Sequence, residues 1–367
     1  MGLKIMTGRR SAQLSQAVYQ AIETAQAQGQ DNLFLIVPEQ FTLGAERALI
    51  EVIGQNGLSG VEVLSPKRLA VRVLKETGGL MIKVLDQHGR NMLMHKAMIQ
   101  VQENLVMYKS SVQKSGFSQK ISDLIAELKE NETQPEDLSK VTAELSAGLL
   151  KQKLDDIRLI YQEYNLLLGE DRIDDNDLHQ LFVEKIPQAS FVKNASFWID
   201  GFQNFSAQDY QMIRNLMVAA VDLIVALPYA EGSPDANVFD LTANTMKRLK
   251  EIGITEEVSF SLIPVNEKEI CAPEICFLEK NLFAYPPAVW AEAAANIKLF
   301  QSQNVWEEVE NGARAILRLI REEAYDYRDI VVLTGIWNFT AVLLKGFLPS
   351  LGFLFSLMNC VQLETIT

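Results

Sequence analysis

Cysteine is scarce in this 367-residue chain: only Cys271, Cys276 and Cys360 occur, and no two of them have the CxxC spacing of a metal-ligand pair. The odd number also argues against the disulfide framework of a small secreted domain, so all three are read as reduced thiols. No apolar run approaches the roughly 20 residues of a membrane span. Residues 1–6 are too short and too quickly polar for a signal peptide. A cytoplasmic location without a membrane partner is therefore expected. Basic residues are in the minority, 34 Lys and Arg against 47 Asp and Glu, and the net charge of −13 tells against a protein coated in nucleic acid. Such an average still allows one basic channel on an acidic body. Apolar side chains are plentiful: 48% hydrophobic residues supply full cores for about two or three domains.

Glycine is missing where a phosphate loop would need it. Residues 3–6 read as a strand that turns at Thr7-Gly8, and Leu14, Val18 and Ile22 then recur at helical spacing. The turn reads GRRSAQLS, with Leu14 and Ser15 where the phosphate-binding Lys and the Mg²⁺-binding hydroxyl would align. A lone Gly8 cannot line a triphosphate with N–H groups, and Leu14 brings no charge, so tight ATP binding is not expected and Gly8 is read as structural.

Further strands are expected at 33–37, 61–64, 197–200 and 222–227, each a short apolar run bounded by turn residues. In an open parallel sheet ligands collect beyond the carboxyl ends of the strands, so the residues after each run are the candidate site. After the second strand, Gln40 and Thr42 are spaced to face one ligand from an extended loop, while helix capping serves Thr42 equally well. After the third, Ser65-Pro66 opens a helix in which Leu69, Val73 and Leu74 face inward and Arg68, Arg72 and Lys75 form a basic stripe. Such stripes are often only solvated; this one would meet the Gln40 loop at one sheet edge, where it suits phosphate oxygens. After the fourth, Asp200-Gly201 leads through Phe202 and Phe205 into another helix, and the two rings serve either as core staples or as a contact surface. Asp200 is also the one carboxylate placed to position Mg²⁺ in a residual ATPase.

Residues 87–188 carry a helical period throughout and read as an all-helical insertion. Within it Asp171, Asp174, Asp175 and Asp177 lack the loop glycine and closing Glu of an EF-hand, so helix capping is favoured. The expected organisation is an α/β domain at 1–86 and 189–265, the insertion at 87–188, a connection at 266–295, and the start of a second α/β domain at 296–367. That second unit is expected as a strand at 297–300, a helix carrying Val309, Ala313, Ile316 and Ile320, and a strand at 330–333. One strand–helix–strand cannot bury both faces of a parallel sheet, so the chain is expected to stop inside this domain.

Several motifs, in order, resemble the N-terminal part of the B subunit of the AddAB/RexAB-type helicase–nuclease of Gram-positive bacteria. They are the opening TGR, VPEQFT at 37–42, VEVLSPKRLAVRVLKETGG at 61–79, SGF at 115–117, DGFQNFS at 200–206, and EEVENGARAILRLIREEAYDYRDIVVL at 307–333. The resemblance implies a superfamily 1 helicase-like architecture: a RecA-like domain 1A, a helical 1B insertion and the start of a RecA-like domain 2A. It also implies a heterodimer with an A subunit that hydrolyses most of the ATP, acting on broken double-stranded DNA in recombinational repair while the B subunit scans single-stranded DNA for a Chi sequence. By the same resemblance Gln40, Thr42, Arg68 and Phe202 would contact DNA; Pro66 and Val71 stand where other members carry aromatic residues, so fewer bases could be stacked. GRRSAQLS resembles the RexB-type branch, in which the phosphate loop is lost. The nuclease domain and its iron–sulfur cysteines would lie beyond residue 367, and residues 352–367 depart from the family pattern. A DNA-binding fragment without catalytic residues, bound metal or bound cofactor is thus the expected function. Its rivals are a residual ATPase at Gly8, Leu14, Ser15 and Asp200, and a purely structural partner of the A subunit.

Overall fold

The computed structural model describes residues 2–333 apart from 10–11, 55–58, 80–82, 115, 170–171, 231, 234 and 267–270. Cys360, Asp171, Ser115 and everything after residue 333 that the sequence singled out lie outside the described residues. The chain divides into two compact units, 1–289 and 290–367.

In the first unit strands and helices alternate: β1 (Gly2–Gly8), α1 (Leu14–Ala27), β2 (Leu33–Ile36), α2 (Thr42–Ile53), β3 (Val61–Leu64) and α3 (Pro66–Thr77). An insertion then opens with β4 (Lys83–Val84), continues through α4 (Gln87–Val101), α5 (Phe117–Glu130), α6 (Pro135–Glu144) and α7 (Leu149–Leu168), and closes with β5 (Arg172–Ile173), which pairs with β4. The helices α8 (Asp175–Lys185) and α9 (Ser190–Lys193) return the chain to β6 (Ser196–Ile199). After it come α10 (Ala207–Ala219), β7 (Asp222–Pro228), α11 (Asp240–Thr255), β8 (Ser259–Pro264) and α12 (Pro273–Asn281).

Six strands form one parallel sheet in the order β3-β2-β6-β7-β1-β8. Parallel strands need crossover connections, and the helices that make them cover both faces. On one face Val18, Ile22 and Leu49 of α1 and α2 pack on Leu33, Leu35, Val63 and Trp198. On the other Leu69, Phe182, Ile213 and Leu249, from α3, α8, α10 and α11, pack on Phe34, Ile36, Phe197 and Val225. Every residue of β2 and β6 is buried, which explains why 33–36 and 197–199 read as apolar runs. The chain is thus an α/β protein with a RecA-like parallel sheet and a helical insertion.

The insertion has its own core, in which Met94, Met98, Ile125, Ile160, Tyr161 and Tyr164 meet. Asp156, on α7, is fully buried and accepts the backbone N–H groups of Val106, Met107 and Tyr108 at 2.7–3.0 Å, which satisfies a loop that makes no ladder. Of the acidic cluster, Asp174 and Asp177 serve as caps and counterions. Asp174 caps α8 through the N–H groups of Asn176 and Asp177, and the buried Lys129 ammonium donates to Asp174 at 2.6 Å and to Asp177 at 2.8 Å.

Three expectations change. β8 was not foreseen: SFSLIP, with serines between apolar residues on an exposed edge, never forms the continuous run that marked the interior strands. Cys271 and Cys276 are not free thiols but a disulfide, their Cα atoms 6.2 Å apart at the start of α12, a spacing outside the CxxC pattern. In the second unit α13 (Val305–Glu322) forms, with the Asn304 side chain accepting the Glu307 N–H at 3.0 Å and Val309 and Ala313 buried. The strands expected at 297–300 and 330–333 are absent. A strand draws its hydrogen bonds from neighbours, and the described part of this unit offers none.

The insertion is joined to the sheet layer along α8 and α10: Gln208 donates to the Lys129 carbonyl at 3.1 Å and Asn215 to the Val183 carbonyl at 2.7 Å. His179 lies in this seam, its Nε2 3.9 Å from Asp209 and its buried Nδ1 without a partner. Burial lowers its pKa below the ordinary 6.5, against the pull of Asp209. The folded state therefore resists a proton that the unfolded chain accepts below about pH 6.5, so this contribution makes stability fall as pH falls through that value. Urea denaturation at pH 7.5 and 5.5 should show a larger loss for the parent than for His179→Gln; an equal loss in both would mean that His179 is not the group responsible.

Candidate functional site

The carboxyl ends of β3, β2 and β6 lie side by side because the three strands are neighbours in the sheet. The Val37 N–H donates to the Leu64 carbonyl at 3.0 Å and the Asp200 N–H to the Ile36 carbonyl at 3.0 Å, so the ladder continues to where each strand releases its loop. A one-turn helix over Glu39–Phe41 follows β2, and Gln40 stands exposed on it. Thr42 is buried, and its hydroxyl donates to the Glu39 carbonyl at 2.9 Å, so it closes this turn and does not face outward with Gln40.

After β3 the Ser65 side chain caps α3 by accepting the Arg68 N–H at 3.3 Å, with Pro66 in the first helical turn. The Arg68 side chain is half exposed and its Nε lies 3.9 Å from Glu39, which brings the second and third loops together. A pair this exposed contributes little to stability and leaves the guanidinium available. Arg72 does not join Arg68. It pairs with Glu62 of β3, and its guanidinium lies 4.9 Å from the ring centroids of both Phe34 and Phe191. An i, i+4 stripe divides this way when one member reaches an aromatic pocket and its neighbour does not.

After β6 the chain turns at Gly201, whose φ of +83° is a left-handed conformation that glycine adopts without strain. A Cβ there would lie 3.2 Å from Pro38 Cδ and 3.7 Å from Phe41, so the loop after β6 is seated directly on the loop after β2. Phe205 is buried in the core, whereas Phe202 packs its inner side on that core, 5.3 Å from the Phe205 ring, and keeps part of its surface exposed. The two sequence alternatives for these rings are therefore divided between them. Thr245 anchors the loop by donating to the Gln203 carbonyl at 3.1 Å.

The turn after β1 lies beside this edge. Leu14 is buried among the core residues of α1, and Gln13 takes the left-handed conformation (φ 52°) that a phosphate loop gives to glycine. A Cβ on Gly8 would come within 2.8 Å of the Ala12 Cβ, which accounts for glycine at this position. Arg9, unremarked in the sequence, is buried and donates to Asp235 at 2.5 and 2.9 Å, with Ser233 also on its guanidinium. This pairing holds the Asp235 carboxyl down at about 2. The residues do not fit a nucleoside triphosphate: no cation is free in the described part of the turn, and the lysine position is occupied by a core leucine. Asp200 is buried, and burial raises its pKa while hydrogen bonds from Ser15 and the Gly201 N–H oppose the rise. Burial, together with the Asp200 charge, pushes the nearby Tyr19 hydroxyl up to about 12.

Gly201→Ala tests the junction of the loops. Left-handed backbone costs a non-glycine residue about 1–2 kcal/mol, and contact with Pro38 adds to that, so chemical denaturation should show a loss of at least this size. A variant as stable as the parent would show that the two loops are not seated on each other.

The sequence profile described as ADDB, N-terminal matches residues 5–279. The chain is 33% identical over 343 residues to the B subunit of the ATP-dependent helicase/deoxyribonuclease of Clostridium acetobutylicum, a match covering 91% of this chain and 30% of that protein. It is 35% identical over 342 residues to the protein of the same name from Thermoanaerobacter sp., covering 90% and 30%, and 32% identical over 358 residues to that of Alkaliphilus oremlandii, covering 95% and 31%. It thus spans just under a third of the length of these relatives. With the profile covering most of the chain and the relatives agreeing along it, the chain belongs to the AddB N-terminal family.

Proposed function

We propose that this chain is the DNA-binding, helicase-like N-terminal region of a helicase–nuclease B subunit, and that the ends of β3, β2 and β6 hold single-stranded DNA. The observation that carries the proposal is the seating of the three loops on one another, with Gly201 against Pro38 and Phe41 and Arg68 beside Glu39. They present an exposed carboxamide (Gln40), a half-exposed guanidinium (Arg68) and a partly exposed ring (Phe202), which suit a base edge, a phosphate and a base face respectively. Thr42 supports this surface from inside, and Arg72 is held on Glu62, Phe34 and Phe191. In the full complex the region would scan the strand for a short recognition sequence beside an A subunit, with broken double-stranded DNA as the substrate of the whole. ATP, Mg²⁺ and an iron–sulfur cluster would be held elsewhere in that complex. One observation favours a residual nucleotide site, the Ser15–Asp200 hydrogen bond, and the buried Leu14 weighs against it.

Anisotropy titrations of a labelled single strand across a salt series test the edge. Each phosphate pairing contributes about −0.7 to the slope of log affinity against log salt, so Arg68→Ala should flatten the slope by about that much; a sequence-selective loss would mean that Arg68 reads a base instead. Phe202→Ala should weaken binding by about 1–3 kcal/mol at every salt concentration with the slope unchanged. Both variants must first melt as cooperatively as the parent, because Phe202 also packs on the core. If both are folded and bind like the parent, the edge does not hold DNA and the region is a structural partner of the A subunit. Calorimetry with ATP and Mg²⁺ should give no saturable heat; a micromolar isotherm abolished by Asp200→Ala would establish the residual site.

A further inference from the structure

An open groove of about 640 Å³ runs along the outer edge of β3, between Glu46 of α2 and Lys67, Arg68, Val71, Arg72 and Lys75 of α3. Among the described residues β3 is the terminal strand of the sheet and is paired on one side only, with β2. The Leu33 N–H donates to the Gly60 carbonyl at 2.9 Å and the Val37 N–H to the Leu64 carbonyl at 3.0 Å, so Gly60, Glu62 and Leu64 carry the ladder to β2. The alternation of a parallel ladder turns the N–H and C=O groups of Val61 and Val63 toward the groove. Glu62, the only charged residue of β3, is neutralised by Arg72, so the strand itself carries no free charge to repel another strand.

The groove wall has a pattern of its own. Lys67 and Lys75 are exposed and have no ion-pair partner among the described residues, and Val71 between them is half exposed. Positions i, i+4 and i+8 lie along one line of the helix, which places the two lysines about 12 Å apart. Residues on one face of an extended chain recur every second position, and four residues span about 13 Å. The spacing therefore matches a strand of the form acidic–x–apolar–x–acidic.

We propose that this edge docks an extended acidic segment of a partner protein, which adds to the sheet as a seventh strand beside β3. Its backbone pairs with Val61 and Val63, its two carboxylates meet Lys67 and Lys75, and its central apolar residue covers Val71. Strand addition takes affinity from main-chain hydrogen bonds and specificity from alternate side chains, and both are provided here. A row of outward backbone donors and acceptors around an apolar contact suits a peptide better than a phosphate backbone. Arg68, proposed above as a phosphate contact, also lines this groove, so the test rests on Lys67 and Lys75 and leaves Arg68 in place.

The probe is a fluorescein-labelled nine-residue peptide with the core Glu-Thr-Val-Thr-Glu, titrated by anisotropy with the whole chain. Saturable binding is expected, with slowed amide exchange at Val61 and Val63. The exposed double variant Lys67→Gln/Lys75→Gln should bind about tenfold more weakly. A peptide with proline in place of one threonine keeps both charges but lacks a backbone N–H, and it too should bind about tenfold more weakly. Equal binding of the proline peptide would reduce the contact to charge attraction and overturn the proposal. Displacement of the peptide by oligo-dT, with weaker oligo-dT binding by the lysine variant, would overturn it too and make the groove a nucleic-acid path. Absence of binding by the parent peptide would likewise overturn it, leaving the lysines as guards of an exposed edge.

Discussion

The parallel ladder between β2 and β6 is the constraint from which the rest of the first unit follows. It pairs Leu33–Ile36 with Ser196–Ile199 in register although the whole helical insertion separates them in sequence. Both strands are buried along their entire length, so their backbone groups have no access to water and must be satisfied by neighbours. Closing so long a loop costs entropy that grows only slowly with length, and the insertion has a core of its own. Because this ladder holds, the loops that follow β3, β2 and β6 emerge side by side and are close enough to seat on one another.

The same placement explains how the turn after β1 is kept without the chemistry of a phosphate loop. Its backbone retains a left-handed residue before the helix, but the charges are internal: Arg9 is tied to Asp235, and Leu14 contributes to the core. A buried pair of this kind is a weak source of net stability, because desolvation offsets much of the attraction. What it supplies is geometry, since a bidentate guanidinium fixes the β1–α1 turn against the loop after β7. Ser15 and Asp200 then connect that turn to the strand-end edge.

The seam between insertion and sheet follows the same logic. Lys129 is buried where it meets Asp174, whose carboxylate also accepts the Tyr164 hydroxyl at 3.1 Å, and the Lys185 ammonium on the same helix α8 donates to the Gly78 carbonyl at 2.7 Å, at the end of α3. α8 is thereby bonded to α5 on one side and α3 on the other. These contacts leave insertion and sheet with a single mutual arrangement, which an apolar interface alone would specify less tightly.

How much was legible in the residues follows from where each signal resides. The runs at 33–37, 61–64, 197–200 and 222–227 identified strands because a strand covered by helices on both faces must be mainly apolar, and Ser65-Pro66 marked a helix start because its cap is local. The order of the strands, the pairing of Cys271 with Cys276 and the edge strand β8 were not legible, since each depends on what lies alongside in space. At the candidate site, Gln40, Arg68 and Phe202 were singled out by their position after strands, but sequence alone could not separate Arg68 from Arg72 or Phe202 from Phe205. That division was made by Glu62, Phe34 and Phe191 around one arginine, and by the core around one ring. The amino-acid sequence by itself therefore determined the alternating elements, their caps and the family, because period and spacing are properties of the chain. Only the tertiary structure decided which side chains face outward, because exposure depends on neighbours that the fold brings together.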